Sequence, residues 1–278
     1  MSVKIDPATG ARFVEVQVEV SATPEQVWQA IATGPGISAW FTPTEVDERE
    51  GGEIRFDLGP EMGGSTGVIT AWEPPRRFAY EEREWMPGAP PVATEIQVED
   101  RGGGTCVMRM AHTLVASSDE WDDQLESFEN GWPPFLRILQ GYLAHFPGER
   151  CSQLRVAGQT DGPADRAWAA LAGALGLGEL SEGERAAASA AGAPALAGVV
   201  ERLGGRGDHR DAVLRIDAPV PGYALIGAFI WNDAAHVGVT LCLYGEEAPA
   251  VAAREEPAWR AWMEERFPAA TEPAPAGG

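Results

Sequence analysis

NGWPPFLRILQGYLAHF, residues 130–146, is the stretch of sequence that decides the fold. Its apolar residues recur at the three- and four-residue spacing of one helical face, which predicts an amphipathic helix. Asn130 would cap this helix, and Pro133 and Pro134 would occupy its first turn, where amide donors have no partner within the helix. Pro147-Gly148 would end it. Because the apolar face is wide and aromatic, we expect a curved surface to wrap around the helix.

The composition limits the number of domains and the class of partner. The 278 residues suffice for one large domain or two ordinary ones, and 44% of them are hydrophobic, which supports a packed core. The net charge of −21 argues against nucleic acid or an anionic membrane surface as a partner, since both are polyanions. No segment approaches the roughly 20 apolar residues of a membrane span, and the N-terminus lacks a signal-peptide core. We therefore expect a cytoplasmic protein with no membrane partner.

The cysteines do not predict a disulfide framework or a metal site. Cys106, Cys151 and Cys242 are too few and too scattered for either. We expect them to be reduced thiols.

The residues before the helix predict mainly strands. Residues 13–20 alternate between apolar and polar, as in a half-buried strand, and Ser21–Gln26 supplies a cap, a proline and an early acid for a helix. A short helical turn is expected at residues 37–41. Five more strands, separated by turns rich in glycine and proline, are expected at residues 53–58, 65–72, 77–84, 94–99 and 105–114. Short turns between consecutive strands predict an antiparallel meander.

This order of elements resembles the helix-grip fold of the SRPBCC superfamily, which includes START and birch-pollen-allergen-like domains. More narrowly, it is similar to the heat-shock-protein ATPase activator homologue (AHSA-type) branch. The matching segments span about residues 13–147 and are Val18–Ile31, Ile37–Phe41, Gly51–Phe56, Gly67–Ile69, Glu73–Tyr80 and Gly131–Leu143. The resemblance implies an α+β fold in which a curved antiparallel sheet wraps around a long C-terminal helix.

Part of this pattern recurs later in the chain. The sequence Trp28–Ala32 returns as Trp168–Ala172, and a terminal helix returns as Glu256–Phe267. Between them we expect a capped helix at Ser181–Glu184, strands at residues 212–217, 222–231 and 237–244, and a turn at Asn232-Asp233. The predicted organisation is an AHSA-type domain at residues 1–149, a degenerate second copy at 150–268 and a disordered tail at 269–278. The alternative is that the second half is an unrelated α+β extension.

One face of the first sheet carries large and soft side chains that would face the long helix. The resemblance implies an apolar cavity there for a small ligand, and its predicted lining is Trp40, Phe56, Phe78, Tyr80, Met108, Met110, His112, Trp132, Phe135 and Leu139. The alternative for each of these residues is that it only fills the core.

Few titratable groups are candidates for catalysis. His112 is the best-placed acid or base, although a satisfied core histidine is the alternative. Glu81, Glu82 and Glu84 are interpreted as the solvated face of an edge strand. No nucleophile elbow, zinc spacing or phosphate-binding loop occurs, so we predict no catalytic residue, metal or cofactor.

The sequence therefore favours binding of a small apolar or amphipathic molecule. One alternative is an enzyme of the polyketide cyclase or dehydratase kind, known in this superfamily. Another is a chaperone-associated protein, which only the resemblance to the activator homologues suggests. The second domain should be more tightly packed, because its strands are rich in glycine and alanine.

Overall fold

The computed structural model describes residues 3–59, 63–86, 88–114, 119–205, 207–231 and 234–268. The chain divides into two compact units between Cys151 and Ser152.

The first unit is an eight-stranded antiparallel sheet with three helices. Its elements are β1 (Lys4–Ile5), β2 (Arg12–Val20), α1 (Pro24–Ala32), α2 (Gly34–Ser38), β3 (Thr44–Val46), β4 (Glu53–Asp57), β5 (Gly64–Glu73), β6 (Arg77–Glu82), β7 (Val92–Gly102), β8 (Thr105–Leu114), a 3₁₀ turn (Asp119–Trp121) and α3 (Asp122–His145). The strand order is β1-β2-β8-β7-β6-β5-β4-β3. The predicted meander is confirmed, and α3 packs against β2 and β8.

The start of α1 follows the predicted chemistry. The Thr23 hydroxyl accepts a hydrogen bond from the Gln26 amide, and the Gln26 side chain accepts one from the Thr23 amide, forming a capping box. Thr33 ends this helix and caps α2, so α2 begins at Gly34, earlier than the predicted turn at residues 37–41. The two helices lie so close that a Cβ on Gly36 would be 1.7 Å from the Gln29 carbonyl oxygen.

The predicted start of the long helix is wrong. α3 begins at Asp122, not at Asn130, and it contains Pro133 and Pro134 in its interior. Prolines there remove backbone hydrogen bonds at a cost of about 3 kcal/mol or more. Packing outweighs this cost because the apolar stripe continues upstream, where Leu125 is completely buried.

The second unit repeats the topology of the first. Its elements are β9 (Ser152–Thr160), α4 (Ala164–Leu175), β10 (Arg185–Ala187), β11 (Ala197–Gly204), β12 (His209–Ala218), β13 (Gly222–Trp231), β14 (Ala234–Leu243) and α5 (Ala248–Arg266). The strand order β10-β11-β12-β13-β14-β9 corresponds to β4-β5-β6-β7-β8-β2 of the first unit. In each unit, the strand before the first helix pairs with the last strand, and a long helix follows. Both units are helix-grip folds.

Two local predictions for the second unit fail, and two cannot be compared. Residues 181–184 form a turn before β10 and not a helix. The terminal helix starts at Ala248, so Pro257 is internal, as Pro133 and Pro134 are in α3. The predicted turn at Asn232-Asp233 and the tail at residues 269–278 lie outside the described residues.

Candidate functional site

A row of three polar residues crosses the inner face of the first sheet. Tyr80 on β6 is in register with Thr94 on β7, which is in register with His112 on β8. We call Tyr80, Thr94 and His112 the polar row. All three residues are buried, although most of their neighbours on this face are apolar.

His112 is held on three sides. Its Nδ1 lies 3.0 Å from the Thr94 hydroxyl oxygen. Its ring stacks against Phe128 and Trp132, with centroid distances of 5.0 and 5.5 Å and interplanar angles of 25° and 9°. The other ring nitrogen, Nε2, is buried and has no hydrogen-bond partner in the part of the chain that the structure describes. A polar atom buried in this way costs about 1–3 kcal/mol unless something supplies a partner.

Burial keeps the polar row uncharged at neutral pH. It lowers the pKa of His112 to about 4, because the imidazolium would be desolvated. Burial also raises the pKa of Tyr80, and the nearby Glu82 carboxylate adds to this shift. The row can therefore offer hydrogen bonds, but the imidazole is a weak base at pH 7.

Glu82 is a polar group that the sequence interpretation placed wrongly. It is partly buried at the end of β6, and the Ser65 hydroxyl donates a hydrogen bond to its carboxylate. Burial raises the carboxyl pKa. The edge-strand part of the interpretation is wrong, because β6 pairs with both β5 and β7. Glu84 is exposed beyond the end of β6, and Glu81 pairs with Arg83 at 2.8 Å, so these two side chains do face solvent. Glu82 differs because it shares the inward alternation of Tyr80.

Four aromatic rings form a wall beside the polar row. They are Phe41, Phe56, Trp132 and Phe135, and we call them the aromatic wall. Phe41 lies 4.9 Å from both Trp132 and Phe135, and 6.1 Å from Phe56. Phe56 in turn lies 5.6 Å from Tyr80. Solvent reaches three of these rings. Although they contact one another between the sheet and α3, each is partly exposed: Phe41, Trp132 and Phe135.

The other predicted lining residues lie deeper. Trp40, Phe78, Met108, Met110 and Leu139 are all buried. Phe78 packs edge-on against Trp28 and Trp72, towards α1. The Trp40 indole donates a hydrogen bond to the Ala30 carbonyl at 2.9 Å. Whether these residues line a cavity stays a prediction.

Five residues of this region were not among the predicted lining. They are Phe41, Ser65, Glu82, Thr94 and Phe128. Strand alternation could have identified Thr94, two residues before Ile96, and Glu82, two after Tyr80. Helical spacing could have identified Phe128, four residues before Trp132.

Acidification should destabilise the first unit through His112. The imidazole pKa is about 4 when folded and 6.5 when unfolded, so the unfolded chain takes up the proton first. Stability is then lost as pH falls from about 6.5 towards 4, by about 3 kcal/mol over the full range. Glu82 acts in the opposite sense, because its raised pKa makes the folded state bind the proton first.

In His112→Gln, the stability of the first unit should fall less between pH 7 and pH 4.5 than in the wild type. Hydrogen exchange of the β8 amides measures this stability. His145→Gln is the matched control, because His145 is exposed at the end of α3. An equal pH dependence in the wild type and His112→Gln would contradict the assignment.

The antiparallel sheet packed against α3 makes the first unit a helix-grip domain. Residues 21–144 match the family model described as "Activator of Hsp90 ATPase homolog 1-like protein". The first unit is therefore an AHSA-type SRPBCC domain. The match covers most of this unit and less than half of the whole chain.

Solved structures with a similar chain include three proteins. CalU16 from Micromonospora echinospora is 23% identical, with 52% of this chain and 83% of that chain covered and a TM-score of 0.42. Aha1 from Colwellia psychrerythraea is 22% identical, with 49% and 98% covered and a TM-score of 0.40. DynU16, a protein in the dynemicin biosynthetic locus, is 14% identical, with 91% and 96% covered and a TM-score of 0.40.

A search of curated proteins found no match. Among the described residues, no cluster of His, Cys, Asp and Glu side chains has the size and geometry to hold a metal ion. None of the helices in the described part of the chain combines the length and apolar character of a membrane span.

Proposed function

We propose that the first unit binds a small apolar or amphipathic molecule between its sheet and α3. The observation that carries the proposal is the buried Nε2 of His112, which has no partner among the described residues and lies beside the aromatic wall. A bound molecule that meets this nitrogen would remove the penalty of leaving it unpaired. The same molecule would cover the exposed parts of Phe41, Trp132 and Phe135, which is favourable by about 25 cal/mol per Å².

The second unit supports the proposal by contrast. Its terminal helix places Trp259, Trp262 and Met263 in the core, and Trp259 is 0% exposed. The same buried cluster contains small side chains such as Ala224 and Ala228, which let large side chains pack closely. We therefore assign the binding site to the first unit.

Binding is favoured over catalysis by the state of His112. A general base works best when its pKa lies near the operating pH, whereas burial lowers this pKa to about 4. We expect no turnover of polyketide-like substrates by the wild-type protein.

A second candidate function is association with an Hsp90-type chaperone, which the family description favours. Addition of the protein to purified Hsp90 would then raise its ATPase rate. No residue of the polar row would be needed for such an effect, so His112→Gln should leave it unchanged.

Titration with N-phenyl-1-naphthylamine, an uncharged dye that brightens in apolar sites, tests the binding proposal. We expect one dye to bind per chain. Trp132→Ala should weaken binding about tenfold or more, because a buried aromatic contact is worth about 1.5–3 kcal/mol. Trp231→Ala is the control, since Trp231 is 45% exposed at the end of β13 in the second unit. No binding, or equal weakening by both variants, would refute the proposal.

A further inference from the structure

We propose that Glu82 and Ser65 form a cation subsite, which selects ligands that carry a protonated amine on an apolar frame. This inference rests on the proposed function, since it specifies the charged part of the molecule that the first unit would bind. The amine would pair with the Glu82 carboxylate, and its frame would lie against the aromatic wall.

The Glu82 side chain lies on the inner face of the sheet, across the neighbouring strand β5. Glu82 is in register with Gly67 on β5, and a Cβ on Gly67 would be 3.2 Å from the Glu82 Cγ atom. Glycine at this position therefore leaves room for the glutamate side chain. Ser65, two residues earlier on the same face of β5, donates a hydrogen bond to the carboxylate and fixes its position.

Arg12 is the basic residue on the same line of residues in register across the sheet, and it is bound elsewhere. From Glu82 this line continues through Val92 on β7 and Leu114 on β8 to Arg12 on β2. Three strand spacings of about 4.8 Å separate the two backbones by about 14 Å along the sheet. The Arg12 guanidinium pairs with Asp122 at the start of α3, with Nε 2.5 Å from Oδ1. Asp122 therefore compensates its charge.

Glu82 thus lacks a positive partner among the residues that the structure describes. The adjacent Arg83 pairs with Glu81 instead. His112, which shares the inner face, is neutral at pH 7 because burial lowers its pKa to about 4. Burial raises the pKa of the Glu82 carboxyl, since no cation compensates the desolvation of the carboxylate. A bound ammonium group would supply this compensation.

The aromatic wall borders the carboxylate. Phe56 is in register with Ser65, whose hydroxyl binds Glu82. The Phe56 ring lies 5.6 Å from Tyr80 and 6.1 Å from Phe41. Aromatic faces attract an ammonium group, which lowers the cost of taking it out of water. A single carboxylate beside several rings suits an organic ammonium ion better than a metal ion, which needs several oxygen ligands.

The start of α3 adds a second acceptor. Gln124 Oε1 is buried and has no hydrogen-bond partner in the described part of the chain. The next residue, Leu125, belongs to one buried cluster with Val92, the neighbour of Glu82 on β7, so this oxygen lies at the same end of the space between the sheet and α3. An ammonium group has three N–H donors and no acceptor, which matches surroundings that offer acceptors.

Three naphthalenes of similar shape test the inference with the full-length protein: 2-(aminomethyl)naphthalene, 2-ethylnaphthalene and 2-naphthoate. Each competes with N-phenyl-1-naphthylamine, and displacement of the dye gives its affinity. At pH 7.5 the protonated amine should bind about tenfold more tightly than the ethyl compound, which has the same shape without the charge. 2-Naphthoate should bind most weakly, because its carboxylate would meet that of Glu82.

Glu82→Gln should remove the preference, so that the amine and the ethyl compound bind within about twofold of each other. The amide keeps the shape of the side chain and can still accept the Ser65 hydrogen bond. Because the net charge of −21 attracts any cation, the control must change the charge equally. Glu81→Gln does so at a residue that pairs with Arg83 on the opposite face, and it should keep the preference.

The ¹³Cδ NMR signal of Glu82, assigned through its backbone amide, keeps the test independent of whether the variants fold. Saturation of the wild-type protein with the amine should lower the pKa of this carboxyl, because a bound cation favours the carboxylate. Saturation with 2-ethylnaphthalene should not lower it. Binding of the amine should accordingly weaken as the pH falls through the raised carboxyl pKa.

Equal affinity of the wild-type protein for the amine and the ethyl compound would overturn the inference while leaving the proposed function intact. A preference that survives Glu82→Gln, a Glu82 pKa that the amine leaves unchanged, or tightest binding of 2-naphthoate would overturn it in the same way. Failure of all three compounds to bind would overturn the proposed function as well.

Discussion

Trp259→Ala is expected to lower the free energy of unfolding of the second unit by about 3–5 kcal/mol. The ring is fully buried and lies 5.8 Å from Trp262 at an angle of 75°. Its removal leaves a cavity in a densely packed core, whose other side chains can fill it only in part. Trp132→Ala in the first unit should cost no more than about 2 kcal/mol, because part of that ring already contacts solvent.

Hydrogen exchange of the β14 and β8 amides measures this difference unit by unit, which is needed because a chain of two units has no single unfolding free energy. Trp259→Phe is the matched control. It keeps most of the ring and removes an indole N–H that has no acceptor among the described residues, so we expect near wild-type stability. If Trp259→Ala and Trp132→Ala lowered the free energy of unfolding by similar amounts, the cores of the two units would be equally well packed, contrary to this prediction.

Met110→Trp should abolish dye binding with little loss of stability. Met110 lies on the inner face of β8, one inward position from His112 and in register with Ile96. If the space between sheet and helix is open, the larger ring will enter it and occupy the ligand site. Val239→Phe enlarges a side chain on the inner face of β14, and this should cost about 1–3 kcal/mol because that core is full.

Melting temperatures and dye titrations of the two variants distinguish an open interior from a closed one. A Met110→Trp protein that is destabilised as strongly as Val239→Phe would mean that the first unit has no space for a ligand.

Patterns within single elements predicted most of the fold. Strand alternation identified β2, β8 and β13, and the cap at Thr23 gave the start of α1. These sequence patterns are local, so they identify a strand or a helix start without knowledge of its tertiary contacts. β11, spanning Ala197–Gly204, has the sequence AGVVERLG, in which apolar and polar residues do not alternate regularly, and it was not predicted.

The errors arose where packing overrides local preference. Pro133 and Pro134 would normally mark a helix start, yet α3 continues eight residues upstream of Asn130 because Leu125 and Phe128 extend the apolar stripe. Glu82 resembles a surface acid in sequence, and only its strand alternation indicates that it points inwards. The unpaired Nε2 of His112 had no sequence signal, because its burial depends on two rings of α3 that stack against the imidazole.

Native mass spectrometry of the protein purified from the cells that produce it tests the binding claim most directly. We predict that the wild-type chain carries one small molecule, which is lost on collisional activation and displaced by N-phenyl-1-naphthylamine, and that Met110→Trp purified in the same way carries none. A wild-type chain at its bare mass that also fails to take up the dye, or an adduct retained by Met110→Trp, would contradict a ligand site between the first sheet and α3.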